Sequence, residues 1–146
     1  VVVMNTHFAI ALHALALLHH ENASPLSAVF IAASVGTNPV FMRRVLRDLQ
    51  RADLIEIKRG VDGGASLARP ADRITLAEVY LAVFGRGRLL AIHEAPSPRC
   101  QVGQGVATAF TDVAQNAEDA LLAHLRDETI ADFHARTQCT EPAQEK

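Results

Sequence analysis

The chain has 146 residues, of which 49% are hydrophobic, 21% are charged and only 5% are aromatic. This length allows one domain with a real core and is too short for two domains of ordinary size. The apolar residues are mainly Ala, Leu, Val and Ile, a composition that favours closely packed helices over an all-β sandwich. The formal net charge of −2, taken for the whole chain, argues against a nucleic-acid partner.

The sequence also argues against secretion and membrane insertion. The longest apolar run, residues 8–18, has eleven residues and contains His13, whereas a membrane helix needs about 20. No basic stretch precedes this run and no small-residue cleavage site follows it, so we expect no signal peptide. Cys100 and Cys139 are too few and too far apart for a disulfide framework, so we expect a reducing, cytoplasmic location.

The first part of the chain predicts three helices. Thr6 is a candidate N-cap for a helix that ends near His20 and is apolar on almost every side, as expected of a central helix. Ser27 opens a short helix, and residues 36–39 form a tight turn in which Asn38 is the next N-cap. The order of helix, short helix, four-residue turn and third helix is typical of a helix-turn-helix.

The third helix, from Pro39 to about Ala52, is strongly amphipathic. At about 100° per residue, its arginines fall within an arc of about 100° and its large apolar side chains on the opposite side. One face is therefore predicted to enter a core and the other to meet phosphates or base edges. The apolar side comprises Phe41, Met42, Val45, Leu46 and Leu49, and the basic side comprises Arg43, Arg44, Arg47 and Arg51.

Two short strands and a fourth helix follow. Residues 54–58 predict one strand, a glycine-rich turn comes next, and residues 66–68 return as a second strand. This hairpin, with Lys58 and Arg59 at its tip, adds a wing to the helix-turn-helix. Residues 75–84 predict a fourth helix with a threonine as its N-cap.

A linker and a long helix occupy most of the remaining chain. Residues 85–99 have a Gly-, Pro- and Arg-rich linker composition, and an apolar stripe along residues 105–126 has nearly the 3.5-residue period of a coiled coil. We expect this stripe to form a homodimer interface, although a helix that lies back on its own domain is the alternative. The predicted interface residues are Val106, Phe110, Val113, Ala117, Ala120 and Leu121. Thr129 is a candidate N-cap for a last short helix.

The predicted fold is mainly α-helical with a small two-stranded wing, a winged helix-turn-helix followed by a long C-terminal dimerisation helix. The predicted units are a DNA-binding domain over 5–84, a linker and sensor region over 85–104, dimerisation and terminal helices over 105–136, and a disordered tail over 137–146.

The net charge is distributed in accordance with this division. Residues 1–37 carry −1, residues 38–99 carry +4 and residues 100–146 carry −5. Positive charge therefore lies where a DNA surface is predicted, and negative charge lies on the predicted dimer helix and tail. The whole-chain value of −2 is an average over these unlike parts.

Four segments carry a resemblance to a known family. They are residues 36–42 (GTNPVFM), 49–55 (LQRADLI), 59–64 (RGVDGG) and 74–79 (ITLAEV), and the Arg-Gly-x-x-Gly-Gly pattern is the most specific. They resemble the bacterial Rrf-two (Rrf2) winged-helix transcription factors, which include the iron–sulfur regulators IscR and NsrR and the cysteine regulator CymR.

The resemblance implies a homodimer that binds a palindromic double-stranded DNA operator, most simply as a repressor. The third helix would enter the major groove and the wing would reach the minor groove. The implied DNA-binding residues are Thr37, Asn38, Arg43, Arg44, Arg47, Lys58 and Arg59.

The chain departs from the family pattern at two places. Asp53 stands where the family usually has Gly, and Asp tolerates the left-handed conformation with some strain. Cluster-binding relatives hold three closely spaced cysteines after the fourth helix, where this chain has only Cys100. We therefore expect no iron–sulfur cluster and no other cofactor.

Cys100 is the candidate sensor. Arg99 and a helix N-terminus just after it would favour the thiolate and therefore a response to oxidants. A disulfide with its dimer mate or with Cys139 is left open, and so are an unreactive cysteine and a small-molecule signal.

No pattern in the sequence indicates an enzyme. Gly60, Gly63 and Gly64 follow a strand but precede no helix, so they form no phosphate-binding loop, and no nucleophile elbow is present. The seven histidines show no i, i+4 pair of a helical metal site, and His19 and His20 are interpreted as complementing a helix C-terminus. No metal site is predicted. A winged-helix module for contact with an acidic protein is the alternative function.

Overall fold

The computed structural model of the chain describes residues 6–87, 89–93 and 97–138. Within them, six α-helices, a two-stranded antiparallel sheet and one 3₁₀ turn form a winged helix with a long helix appended. The elements are α1 (His7–His20), α2 (Ala28–Val35), α3 (Pro39–Arg51), β1 (Ile55–Lys58), β2 (Gly64–Leu67), the 3₁₀ turn (Ala71–Arg73), α4 (Leu76–Phe84), α5 (Gln101–Arg126) and α6 (Ile130–Thr137). The predicted fold class is confirmed.

Helix α1 is the centre of the domain, as its apolar composition predicts. It contacts α2, α3, α4, α6 and β2, and its small residues allow these elements to approach closely. Thr6 occupies the predicted N-cap position, but its side chain accepts no hydrogen bond from the helix. The reason is its backbone conformation, which is helical (φ −79°, ψ −3°) instead of the extended form that aims a cap side chain at the helix.

The helix-turn-helix forms as predicted. The Ser27 side chain accepts a hydrogen bond from the Phe30 N–H at 3.1 Å, and Asn38 Oδ1 accepts one from the Phe41 N–H at 2.8 Å. Between the two helices, Gly36 takes a left-handed conformation (φ 83°), and Pro39 begins α3 where its missing N–H costs nothing.

Asp53 turns the chain from α3 into the wing. It is the only non-glycine residue with a positive φ (57°) among those that the structure describes. An L-residue pays about 1–2 kcal/mol in this region, and Asp is one of the few types that enter it. The left-handed conformation expected of the residue that replaces the family's glycine is confirmed.

The wing is joined to the domain by backbone hydrogen bonds. Strand β1 pairs with β2 from Ile55↔Leu67 to Lys58↔Gly64. On its other side Ala65 exchanges two hydrogen bonds with Leu26, at 2.9 and 2.7 Å. This third segment fixes the base of the wing against the start of α2.

Helix α4 begins with a capping box. The Thr75 side chain accepts a bond from the Glu78 N–H, and the Glu78 carboxylate accepts one from the Thr75 N–H. Burial raises the pKa of Glu78, but the Thr75 N–H and the Arg69 guanidinium, 2.9 Å away, more than offset this effect, so the pKa lies below its usual value.

The end of the chain returns to the first domain. Two backbone hydrogen bonds of 2.9 Å, from Leu76 N to Glu128 O and from Ile130 N to Ile74 O, hold the α5–α6 turn against the start of α4. Helix α6 then contacts α1, and Ile130 is fully buried in the main core. The C-terminal helix therefore completes the core of the winged helix, a contact that its sequence did not predict. The disordered tail was predicted to begin at residue 137, but Thr137 is the last residue of α6 and Gln138 is its C-cap. Residues 139–146 of the predicted tail lie outside the described residues.

Helix α5 has 26 residues, which corresponds to about 39 Å. It begins at Gln101, four residues before the predicted start, because Cys100 serves as its N-cap. Its C-terminal part is anchored by Leu122, which packs with Ala77 and Tyr80 of α4. No described helix is long and apolar enough to cross a membrane.

Candidate nucleic-acid interface

Helix α3 separates its two faces as its sequence predicts. Met42, Val45, Leu46 and Leu49 are at most 3% exposed and belong to the main core. The four arginines of the opposite face are all exposed. The core therefore fixes the rotation of α3, and this rotation presents a basic surface outward.

Helix α3 and the wing form the two sides of one cleft. Arg43 and Arg47 line it from the helix, and Arg59 lines it from the wing, around a volume of about 370 Å³. Residues far apart in the sequence thus converge as a single basic surface. Because a guanidinium forks onto phosphate oxygens or the edge of guanine, the cleft suits a nucleic acid.

The arginines of this cleft have no acidic partners within the described part of the chain. The ion pairs found there involve Arg51, Arg69, Arg86 and Arg136. Arg51 pairs with Asp48 at 3.7 Å, and this pair lies at the end of α3. The structure therefore leaves Arg43, Arg44 and Arg47 available to an external anion and partly occupies Arg51.

The N-terminus of α3 supplies two further polar groups. Asn38 is exposed, and because its Oδ1 caps the helix, its Nδ2 is left to donate outward. Thr37 is half-buried, and its backbone N–H donates to Ala32 O at 2.9 Å, which fixes the turn. Both residues lie on the same side of the molecule as the start of the basic face.

The tip of the wing depends on its glycines. A Cβ on Gly63 would lie 2.1 Å from Lys58 O, and a Cβ on Gly64 would lie 2.5 Å from Leu26 O. Such contacts are far inside van der Waals distance, so only glycine fits at either position. This close approach explains why the Gly-Gly pair accompanies Lys58 and Arg59, which are both exposed.

Two further residues line the cleft, Gln50 and Ile57, and neither was predicted from the sequence. Gln50 continues the row of Arg43 and Arg47 at a spacing of four and then three residues, which is the signal that could have identified it. Ile57 is an apolar residue of β1 that remains 39% exposed. Its place in the cleft beside α3 depends on the position of the wing, which the sequence does not indicate.

Cys100 lies away from the basic cleft, at the N-terminus of α5. The residue is exposed, and its Sγ accepts a hydrogen bond from the Gly103 N–H at 3.2 Å. Beside α5 a second cavity of about 360 Å³ is lined by residues of the linker, including Leu89, Leu90 and Ile92, and by Phe110 of the helix.

Glu118 is a buried acidic residue that holds the linker and was not predicted from the sequence. It is 4% exposed, and both of its carboxylate oxygens accept the Gly87 N–H, at 2.9 and 3.0 Å. Burial and the neighbouring Glu118 raise the pKa of Tyr80. A glutamate in a stripe of small residues was the only available signal.

The predicted interface residues of α5 differ in exposure. Val113 is 60% exposed and Ala120 is exposed, whereas Val106, Phe110 and Ala117 are half-buried. Leu121 is half-buried against the cluster that joins α5 to α4 in its own chain.

Comparisons with known proteins agree with this geometry. A model of the Rrf2 family, described as an iron-dependent transcriptional regulator, matches residues 4–136. YwnA of Bacillus subtilis, named as an HTH-type transcriptional regulator, is 36% identical over 129 residues, which are 88% of this chain and 95% of YwnA.

Solved structures show the same fold. One described as a DNA-binding protein has 31% identity and a TM-score of 0.69, over 87% of this chain and 97% of its own. CymR of B. subtilis, the global cysteine regulator, has 20% identity and a TM-score of 0.67, over 93% of this chain and 98% of CymR. The second likeness concerns the fold alone.

The described residues do not form the ligand set of an iron centre. Among residues 6–87, 89–93 and 97–138, no three His, Cys, Asp or Glu side chains form a group that could hold a metal ion, and Cys100 is the one cysteine. A cluster of the three-cysteine kind needs thiolates that this part of the chain does not supply. No step of DNA binding is therefore assigned to iron.

Proposed function

Since the chain belongs to the Rrf2 family of transcriptional regulators, we propose that it is a repressor that binds a palindromic operator as a homodimer. The convergence of Arg43, Arg47 and Arg59 around one cleft, without acidic partners in the described chain, carries this proposal. The protein is a regulator with a DNA-binding fold and not an enzyme. Its site of action is the cytoplasm, where bacterial DNA is held.

The geometry supports the following assignment of contacts on DNA. In the proposed complex, the first turns of α3 lie in the major groove and Arg43 and Arg44 contact the base edges, where a guanidinium recognises guanine by two parallel hydrogen bonds. Arg59 and Lys58 extend from the wing toward the minor groove, where negative potential attracts them. Asn38 and Thr37 contact phosphate and set the register of the helix.

The homodimer is formed through α5. A two-fold axis repeats the basic cleft, so two half-sites separated by about one helical turn, roughly 34 Å, are read in opposite directions. This symmetry is the reason to expect a palindrome. A dimer on a promoter blocks polymerase, which is the basis for proposing repression.

The signal is proposed to act through Cys100 at the junction of the linker and α5. Its exposure allows an oxidant to reach the sulfur, and its place at the helix N-terminus couples a change there to the direction of α5. A small-molecule signal is the second candidate, favoured by the cavity of about 360 Å³ beside the same linker. Neither requires an iron–sulfur cluster or another cofactor.

Selection from random duplexes tests the function. Bound fragments should share an inverted repeat, and affinity should fall steeply with salt because each half-site displaces several counterions. A winged helix used only for contact with an acidic protein would enrich no palindrome.

A separate experiment tests the thiol signal. The protein is treated with mild peroxide or diamide, its binding to the selected DNA is then measured by mobility shift, and mass spectrometry locates the modified thiol. Unmodified Cys100 together with intact binding would rule out the thiol signal while leaving the DNA-binding proposal standing.

A further inference from the structure

The C-terminal ends of α1 and α6 bring three polar atoms into a tight triangle. His20 Nδ1 and His134 Nε2 are 3.2 Å apart, and the Gln138 amide lies 3.2 Å from His134 Nε2 and 3.4 Å from His20 Nδ1. His20 is the last residue of α1, and Gln138 is the C-cap of α6. The DNA-binding proposal uses none of these three residues.

Hydrogen bonds alone cannot make all three contacts among the two ring nitrogens and the Gln138 amide favourable. In neutral imidazoles each of the two nitrogens is either a donor or an acceptor. If the amide NH₂ of Gln138 donates to both rings, both must be acceptors, and two lone pairs then face each other across 3.2 Å. If one ring donates to the other, its nitrogen can accept nothing from the amide. At least one side of the triangle is therefore unfavourable in every assignment with neutral rings.

The same triangle has the dimensions of a metal coordination site. Zinc–nitrogen bonds of about 2.0–2.1 Å at tetrahedral angles place two ligand atoms about 3.3 Å apart. The three observed separations are 3.2, 3.2 and 3.4 Å. A half-turn of the Gln138 amide exchanges nitrogen for oxygen at almost no change of shape, which presents an oxygen ligand beside the two imidazoles.

The surroundings also favour a cation. Both helices end at the triangle, so the partial negative charge of two C-termini meets there. The nearby Arg136 does not compete, because it pairs with Glu128. A groove of about 610 Å³ between α1 and α6 borders both histidines and Gln138, so an ion can enter and water can complete its coordination.

We propose that His20, His134 and Gln138 bind a divalent transition-metal ion of the Zn²⁺, Ni²⁺ or Cu²⁺ class. Imidazole nitrogen suits these ions, and a neutral amide oxygen adds a third donor. A bound ion would link α6, which follows the proposed dimer helix directly, to the central helix of the DNA-binding domain. It would thereby restrict the motion of one unit relative to the other.

Titration of the untagged full-length protein with Zn²⁺ tests the site. Calorimetry should give one ion per chain, Co²⁺ should give visible absorption bands of a protein-bound ion, and the ion should raise the Tm because it binds only the folded state. His20→Ala and His134→Ala should each weaken binding by about 10- to 100-fold or more, and His93→Ala, in the exposed linker, should leave it unchanged.

A second kind of variant is needed because an alanine variant could lose metal binding simply by misfolding. Gln138→Glu replaces the amide by a carboxylate and should tighten Zn²⁺ binding, with an unchanged circular dichroism spectrum. The proposal would be overturned by absence of binding to the wild type, by wild-type affinity in the two histidine variants, or by no gain in affinity with Gln138→Glu. None of these results bears on operator binding in metal-free buffer, so this site and the DNA-binding proposal can fail independently.

Discussion

Helices α3 and α5 present two very different surfaces to the outside. Helix α3 buries most of its apolar face in its own chain, with Phe41 half-buried, and exposes a row of arginines. Helix α5 is twice as long, yet only Gly103, Glu118 and Leu122 are buried in it, and apolar residues such as Val102 and Val113 remain 75% and 60% exposed. Each helix therefore leaves a surface that its own domain does not use.

The difference indicates two kinds of partner. An exposed basic face costs nothing in water and gains energy when it displaces counterions from a polyanion. An exposed apolar stripe gains energy only when another apolar surface covers it. Helix α5 carries Asp112, Glu118 and Asp119 against Arg126, and this acidic balance disfavours competition with α3 for DNA. The chemistry of the two faces thus supports the proposed division into a DNA surface and a subunit surface.

The largest effect should come from a charge placed on the stripe of α5. Val113→Glu alters a side chain that is 60% exposed in the single chain, so the domain should fold. In a dimer the carboxylate would be buried without a partner, which costs about 3 kcal/mol or more. Sedimentation should show a monomer, and operator affinity should fall by at least about 100-fold.

Thr108→Glu provides the matched control, since this exposed residue lies about 140° from Val113 around the same helix. It should leave the dimer intact. If Val113→Glu remains dimeric, α5 is not the subunit interface and its stripe has another partner.

A smaller effect is expected on the other side of the comparison, at the basic face. Arg44→Ala and Arg59→Ala should each weaken operator binding by about 1–3 kcal/mol without changing the dimer. Each should also make binding less dependent on salt where a phosphate contact is lost. Arg51→Ala is the matched control, because Arg51 already pairs with Asp48 at the far end of α3. Equal losses in all three variants would show a general charge effect and contradict the assigned docking.

The two helices also differ in how well their sequences predicted them. The N-cap Asn38, the first-turn Pro39 and the two faces of α3 are local signals, and all three are confirmed. The long helix was predicted, but its start was placed four residues late because Cys100 is an unusual N-cap. A cap through sulfur has no strong statistical signature.

Contacts between distant segments could not be predicted in this way. The cleft that joins Arg43 to Arg59 depends on where the wing lies, and this is set by Leu26, a residue with no distinctive pattern. The packing of α6 on α1 and the triangle of His20, His134 and Gln138 are of the same kind. Periodicity describes one face of one helix and says nothing about which other helix will cover it.

A third test concerns the wing. It asks whether a change in the shape of the wing tip lowers operator affinity while the core of the domain stays folded. Gly63→Ala would bring a Cβ to 2.1 Å from Lys58 O, so the turn must open at a cost of about 1–3 kcal/mol. Operator affinity should fall because Arg59 is displaced, whereas the oligomeric state should not change. Ala68→Gly, just after β2, serves as a control for a simple loss of strand stability. Unchanged DNA binding with Gly63→Ala would show that the wing does not contact the operator.

The smallest effect is expected at Asp53, where α3 passes into the wing. Asp53→Gly removes a left-handed strain of about 1–2 kcal/mol but adds flexibility to the unfolded chain, which costs about 0.5–1 kcal/mol. The free energy of unfolding, measured with urea, should therefore rise by roughly 0.5–1 kcal/mol, and Asp53→Ala, which keeps the Cβ, should not raise it. Operator affinity should stay the same in both variants, because the buried side of α3 and not this turn fixes the direction of its arginines. A change in affinity with Asp53→Gly would mean that the turn orients the wing toward α3, so that strain at one residue contributes to DNA recognition.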